Sequence, residues 1–492
     1  MSDVEYNAIP GGDETDQMQR GMQDKKNNLC YLTAGQLLEL YESKTVSPVE
    51  VVKAVFQRID DVDGEVNAFS LRNEAMALKA AKDSERRWLA DEPSGLLDGV
   101  PVTVKDIVMS RDWPMLRGSK AVSEDQPCDE DAPVVARLRE QGAIFIGRTT
   151  TPEFGWKGVT DSPLTGITRN PWNTECTPGG SSGGAAVAAA LGMGALHIGT
   201  DGGGSIRIPA GFTGVFGFKP SFGRVPLYPP SAFGTLSHIG PITRTVSDAA
   251  LMMNVLVLPD SRDPHALPYD HGEYEVGSDI GIERLRIAYS PTLGYANVDE
   301  EVAACVKDAV DSLSVLGATV EEVDPGFESP LDCFNKHWYP GAAHLLERFS
   351  PEQQALMDPG FLEIAREGAE VSLAEYMTAV DQRVELAQRM NAFHDQYDLL
   401  VTPSLPCPAF KAGDPVADLQ AQNRWPDWTP FTYPFNLTGQ PACSVPCGFT
   451  KAGLPVGLQL VGPQHADPLV LGVAHAFEAM RPFVTPDQPN PK

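Results

Sequence analysis

Two glycine-rich turns that carry serine, at 179–184 and 201–205, restrict this chain more than any other feature. They read Gly179-Gly180-Ser181-Ser182-Gly183-Gly184 and Asp201-Gly202-Gly203-Gly204-Ser205. Glycine lets two backbones, or a backbone and a ligand, approach closely because no Cβ stands between them. The first turn opens into the alanine-rich stretch 185–191, a good helix former, and a short apolar strand leads from that helix to the second turn. The N–H groups at a helix start are unpaired and favour negative charge. Successive free N–H groups across three glycines can converge on one oxygen anion. A serine beside such donors points to acyl transfer.

Other readings of this stretch compete. It can be two purely structural turns. A phosphate-binding P-loop needs Gly-Lys-Ser/Thr after its first glycine, which is absent, and no strand precedes a GxGxxG here. A nucleophile elbow, G-x-S-x-G, matches formally on Gly179, Ser181 and Gly183 and again on Gly180, Ser182 and Gly184. An elbow requires a strand immediately before it. Residues 169–178 are polar and broken by Pro171 and Pro178, which argues against an elbow and against a Ser-His-Asp hydrolase.

The stretch resembles the signature of the amidase signature family, serine hydrolases that use a Ser-Ser-Lys triad. The matching residues are Pro178-Gly179-Gly180-Ser181-Ser182-Gly183-Gly184 and Gly199-Thr200-Asp201-Gly202-Gly203-Gly204-Ser205-Ile206-Arg207, with Ser181 and Ser205 separated by 24 positions. Gly202 departs from the pattern, since many members carry a larger residue there. A looser turn and a smaller wall beside it are expected, with consequences for substrate more than for chemistry. Blocks at 240–248, 436–442 and 453–462 also resemble the family, and the resemblance spans roughly 30–481.

A third motif supplies a base. Residues 99–106, Gly-Val-Pro-Val-Thr-Val-Lys-Asp, form a β-branched strand that is apolar on both faces, as buried strands are. A lysine at the end of a buried strand must lose its proton or find a partner. The family carries its catalytic lysine in this Val-Lys-Asp context, so the resemblance assigns Lys105. Asp106 alternates to the other face and is expected to point away. To accept a proton near neutrality Lys105 must fall from about 10.4 to roughly 7 or 8, which burial can achieve. His197 lies in an apolar strand and reads as core.

By resemblance, Lys105, Ser181 and Ser205 are catalytic. Neutral Lys105 draws a proton from Ser181, Ser181 draws one from Ser205, and Ser205 attacks an amide carbonyl. The oxyanion hole is assigned to the N–H groups of Gly202, Gly203 and Gly204, with Ser205. In the family the bridging serine follows a cis peptide, here Gly180–Ser181. Ser181 or Ser182 is equally suited to cap the helix that follows, and Ser182 is given a supporting role. Asp201 and Arg207 are expected to pair and brace the nucleophile turn. The resemblance implies no metal and no cofactor.

Composition sets further bounds. The 492 residues carry a formal net charge of −28, which disfavours nucleic acid and anionic membranes as partners, because phosphate binding needs lysine and arginine. A small-molecule amide is the expected partner, and a homodimer is compatible with the sequence. Eight cysteines are scattered; Cys443 and Cys447 lack a second pair and a nearby histidine, so zinc is not expected. Reduced thiols and a cytoplasmic location follow. Residues 1–28 are polar and acidic, unlike a signal peptide, and read as a mobile arm before one catalytic domain at 29–485. No run reaches membrane-spanning length.

Helices are expected at 32–44, from Ser47 to about 61, and at 74–90, 131–141, 249–256, 300–316 and 467–480, with Ser247 or Asp248 capping the one at 249. Strands are expected at 143–147, 214–219, 285–290, 319–323 and 397–402. Residues 330–396 read as helices broken at Pro340, Pro351 and Pro359. This alternation, with the resemblance, implies one large α/β domain: a twisted mixed sheet covered by helices on both faces. The substrate pocket is expected from 109–160, 330–395 and 405–430, with Phe334, Trp338 and Tyr339 as candidate walls. The readings of function that remain are an amidase acting on linear amides, an ester or carbamate hydrolase with the same triad, and the amidase-like subunit of a tRNA-dependent amidotransferase.

Overall fold

Val102-Thr103-Val104 and Ile144-Phe145-Ile146 are β-branched and aromatic runs with both faces apolar, and they lie side by side as parallel strands. The computed structural model describes residues 29–269, 274 and 281–486. The arm expected at 1–28 lies outside the described residues. In chain order the strands are β1 (Phe69–Arg72), β2 (Pro101–Lys105), β3 (Ile144–Thr149), β4 (Asp161–Ser162), β5 (Gly166–Ile167), β6 (Leu196–Asp201), β7 (Phe216–Lys219), β8 (His238–Thr243), β9 (Arg286–Tyr289), β10 (Thr319–Glu322), β11 (Leu399–Pro403), β12 (Ala442–Phe449) and β13 (Pro455–Val461). β4 and β5 pair with each other, and the others form one sheet in the order β1-β3-β2-β6-β8-β7-β12-β13-β11-β9-β10. β2 runs parallel to β3 and β6, whereas β6, β8, β7, β12, β13 and β11 alternate in direction. This is the large mixed α/β sheet expected.

Successive strand residues face opposite sides. Ile287, Tyr289, Leu399 and Val401 join one apolar core, while Ala288 and Leu400 join the other. The first core is closed by amphipathic helices that include Pro48–Val66, Val246–Leu256, Glu300–Val315 and Asp467–Met480. The second lies under Leu331–Leu346, Pro359–Glu370 and aromatic loops. The helix Gly183–Ala190 is buried along its whole length. Only small residues fit there: a Cβ on Gly184 would sit 2.5 Å from both Ala68 O and Thr150 N.

Most helix starts follow their sequence signals. Ser47 and Glu50 form a capping box with Pro48 in the first turn, although the helix continues to Val66, beyond the expected end. Two expectations are corrected. Thr245, not Ser247 or Asp248, caps the helix Val246–Leu256, and the Asp248 carboxylate instead accepts from Ala34 N at 2.8 Å. Pro351 and Pro359 open helices, as proline in a first turn does, but Pro340 lies inside the unbroken helix Leu331–Leu346. An interior proline costs about 3 kcal/mol. Burial of Phe334, Trp338, Ala342 and Leu345 along one face of this helix offsets that cost.

Candidate active site

Lys105 ends β2, held between β3 and β6, and is fully buried. Its Nζ lies 2.7 Å from Ser181 Oγ, 2.9 Å from Ser182 Oγ and 2.9 Å from Thr200 Oγ1. The amine thus meets three hydroxyls and, among the described residues, no carboxylate. Burial pushes its pKa well below the ordinary lysine value, opposed only by the more distant charge of Asp201. Asp106 faces away, as alternation requires: its carboxylate accepts from Leu116 N at 3.2 Å and Gly118 N at 3.3 Å and lies 3.8 Å from Arg148 Nε. Burial raises Asp106 to about 6 against the opposing charge of Arg148.

Ser181 follows a cis Gly180–Ser181 peptide, the geometry the resemblance implies. Ser182 stands at the N-terminus of Gly183–Ala190 but does not cap it with its side chain. Its Oγ donates to Thr200 O at 3.1 Å and accepts from Thr200 N at 3.2 Å, stitching the first turn to β6. The two turns also meet through Ser182 N donating to Ser205 O at 3.1 Å. Ser181, Thr200, Gly202 and Ser205 line one cavity, and Lys105 lies behind the serines. Lys105 and Ser181 are in hydrogen-bond contact; Ser181 and Ser205 share the cavity wall without a direct side-chain bond between them.

The second turn is braced from behind. Asp201 and Arg207 are both fully buried, and Arg207 Nε and Nη2 each donate to the Asp201 carboxylate at 2.9 Å. Asp201 also accepts from Gly204 N at 2.8 Å, Ile206 N at 3.2 Å and Asn436 Nδ2 at 2.8 Å. Burial alone would raise its pKa, but the charge and hydrogen bonds of Arg207, with Lys219 and Asn436, hold it well below the usual carboxylate range. This corrects one expected role. The Gly204 N–H is committed to Asp201, so it does not point at the cavity, whose wall carries Gly202 and Ser205.

Gly202 does not leave a smaller wall. A Cβ there would lie 2.8 Å from Trp338 Cζ3, so an indole from a distant helix fills the space. Of the three aromatic candidates, Trp338 lines the cavity, whereas Phe334 is stacked behind it at 5.4 Å and Tyr339 is packed elsewhere. Residues 405–430 contribute no lining. The stretch 227–239 does, including Leu227, Tyr228, Phe233 and His238, and was missed because it has no periodicity. Thr200 and Asn436 were also missed, although both lie within the family blocks. His197 is core, as read: its Nδ1 lies 2.8 Å from Thr103 Oγ1, and burial lowers its pKa to about 3. Among the described residues no cluster of His, Cys, Asp and Glu suits a metal, and no helix is long and apolar enough to cross a membrane.

The chain is similar to known proteins over most of its length. The Amidase family model matches residues 50–471. An acylamidase of Rhodococcus erythropolis is 37% identical over 465 residues, covering 93% of this chain and 97% of that protein. A subunit of the glutamyl-tRNA(Gln) amidotransferase of Moorella thermoacetica is 36% identical over 479 residues, covering 92% and 96%. The crystal structure of a bacterial aryl acylamidase of the amidase signature enzymes superposes with a TM-score of 0.87 at 31% identity, covering 92% of this chain and 96% of that one.

Proposed function

The chain belongs to the amidase signature family and is an amidase acting on linear carboxamides; on that premise we propose that Ser205 is its nucleophile, Lys105 its base and Ser181 the hydroxyl between them. One observation carries the reading: a fully buried amine 2.7–2.9 Å from three hydroxyls, with no carboxylate in contact among the described residues. A neutral amine has two N–H donors and one lone pair. Ser182 spends its proton on Thr200 O and therefore accepts from Lys105. Thr200 Oγ1 can accept the second N–H, which leaves the lone pair for the Ser181 proton.

The steps then balance. Lys105 takes the Ser181 proton as Ser181 takes that of Ser205, and Ser205 Oγ bonds to the carbonyl carbon. The developing oxyanion is held by the N–H groups of Gly202, Gly203 and Ser205; loss of one such donor typically raises the barrier by about 2.7–4 kcal/mol. The C–N bond breaks as Ser181 returns a proton to the departing nitrogen. Water then adds to the acyl-Ser205 ester and releases the acid.

The test is a hydrolysis panel of aliphatic amides, anilides, dipeptide amides, carbamates and esters, run on wild type and Ser205→Ala together. A fluorophosphonate is expected to label Ser205 and to fail on the variant. Labelling at Ser182, or amide turnover retained by Ser205→Ala, refutes the assignment. The amidotransferase relative supports a second reading, in which the same site releases ammonia for a partner protein; hydrolytic turnover by the chain alone excludes it. A cytoplasmic location is supported by the reduced thiols, all eight of which are free.

A further inference from the structure

The cavity that holds Ser205 is charged with one sign. Arg117 and Arg348 both line it, and no aspartate or glutamate does. In a chain with 66 acidic residues against 38 basic ones, a cavity lined by arginine alone runs against the overall charge. Among the described residues neither guanidinium has a carboxylate within 4.0 Å, and Arg117 makes no side-chain hydrogen bond. The partner of Arg348 is an imidazole, His344 Nε2, at 3.4 Å. Burial and the charge of Arg348 both push the Arg117 pKa down, against the opposing charge of Asp106.

The fold fixes both. Arg117 has φ of +58°, followed by Gly118 at +64°, a region that long side chains seldom occupy. It is held there by Arg117 N donating to Asp106 O at 3.0 Å and Phe154 N donating to Arg117 O at 2.7 Å. Phe154 in turn packs on Phe349, with ring centroids 5.5 Å apart. Phe349 adjoins Arg348 just past the helix Leu331–Leu346. This aromatic contact, with Gln353 Nε2 donating to Ala121 O at 3.1 Å, ties the segment of Arg348 to that of Arg117.

We propose that Arg117 and Arg348 form an anion subsite and that the preferred substrate is a linear amide carrying a carboxylate away from the scissile bond. This rests on the amidase reading above. Guanidinium forks match carboxylates in geometry and charge, and an anion between two like charges removes their repulsion. The same pair disfavours cationic amides.

The experiment compares matched pairs: succinanilate with butyranilide, whose carboxylate is on the acyl side, and 4-acetamidobenzoate with 4-methylacetanilide, whose carboxylate is on the amine side. Turnover is measured on wild type, and binding by calorimetry on Ser205→Ala, so that affinity is read without chemistry. At least one anionic member is expected to bind roughly tenfold more tightly than its neutral partner, with the preference shrinking as salt rises. Arg117→Met and Arg348→Met should bring that ratio toward one, Arg117→Lys should retain part of it, and Arg348→Glu should invert it. Arg348 is exposed, so its variants test the proposal if Arg117→Met does not fold. Equal affinity within both pairs, or a ratio untouched in the Arg348 variants, overturns the subsite. Preferential binding without turnover of any amide would instead sink the amidase reading and leave the subsite standing.

Discussion

Replacing Asp201 by Asn probes the brace behind the nucleophile turn. The Asp201 carboxylate faces five donors at 2.8–3.2 Å: Gly204 N, Ile206 N, Arg207 Nε, Arg207 Nη2 and Asn436 Nδ2. Asparagine turns one acceptor oxygen into an NH2 that meets a donor, and it leaves Arg207 charged at 0% exposure. Removing one partner of a buried ion pair costs about 3–5 kcal/mol. With about 2.1 cal/mol/K of unfolding entropy per residue, a chain of 492 residues unfolds with about 1 kcal/mol/K. The expected fall in Tm is therefore roughly 3–5 °C. It is read by calorimetry at one fixed scan rate, since a chain of this size unfolds irreversibly in many cases. The Asp201 pKa is depressed in the folded state, so its contribution is fully present above the unfolded value of about 3.9 and fades as pH falls through the folded one. Measurement at pH 7 captures all of it. Arg207→Met should cost a similar amount, and the double variant less than the two singles together. A Tm within about 1 °C of wild type, or strict additivity, refutes the reasoning.

Other outcomes follow from the same geometry. Lys105→Ala should abolish amide turnover while circular dichroism reports a folded protein; retained turnover removes lysine as the base. Because burial lowers the Lys105 pKa, the reactive neutral amine exists above the folded value, so kcat/KM should be lost as pH falls through it. That acid limb should lie well below about 10.4, and a limb at the ordinary lysine value contradicts the neutral amine. Gly202→Ala places a Cβ 2.8 Å from Trp338 Cζ3; the overpacking costs about 1–3 kcal/mol and should depress kcat/KM. Trp338→Leu in the same chain should recover activity, and Gly202→Ala with wild-type kinetics would show that the indole moves freely.

Local chemistry explains what could be read in advance. Val102-Thr103-Val104 reads as buried on both faces, and that alone implied a desolvated Lys105 with Asp106 on the opposite side. Spacing could not show that Ser182 would abandon the cap for Thr200, because a partner across the sheet outcompetes a local one. Nor could it show that Gly204 would serve Asp201 rather than the cavity, since adjacent N–H groups in a glycine run look alike until folded. Residues 227–239 carry no period to detect, and Pro340 signals a break that tertiary burial overrides. Arg117 and Arg348 are 231 positions apart, and tertiary contacts such as Phe154–Phe349 bring them to one cavity.

The buried Arg207 guanidinium also reaches far along the chain. Beyond Asp201 it donates to Thr432 O, Asn436 Oδ1 and Gln459 Oε1, the last of them 252 residues downstream. The first four hundred residues therefore hold the nucleophile and the Asp201–Arg207 pair but none of these three acceptors. The last third of the chain thus completes the setting of a turn that the first half supplies.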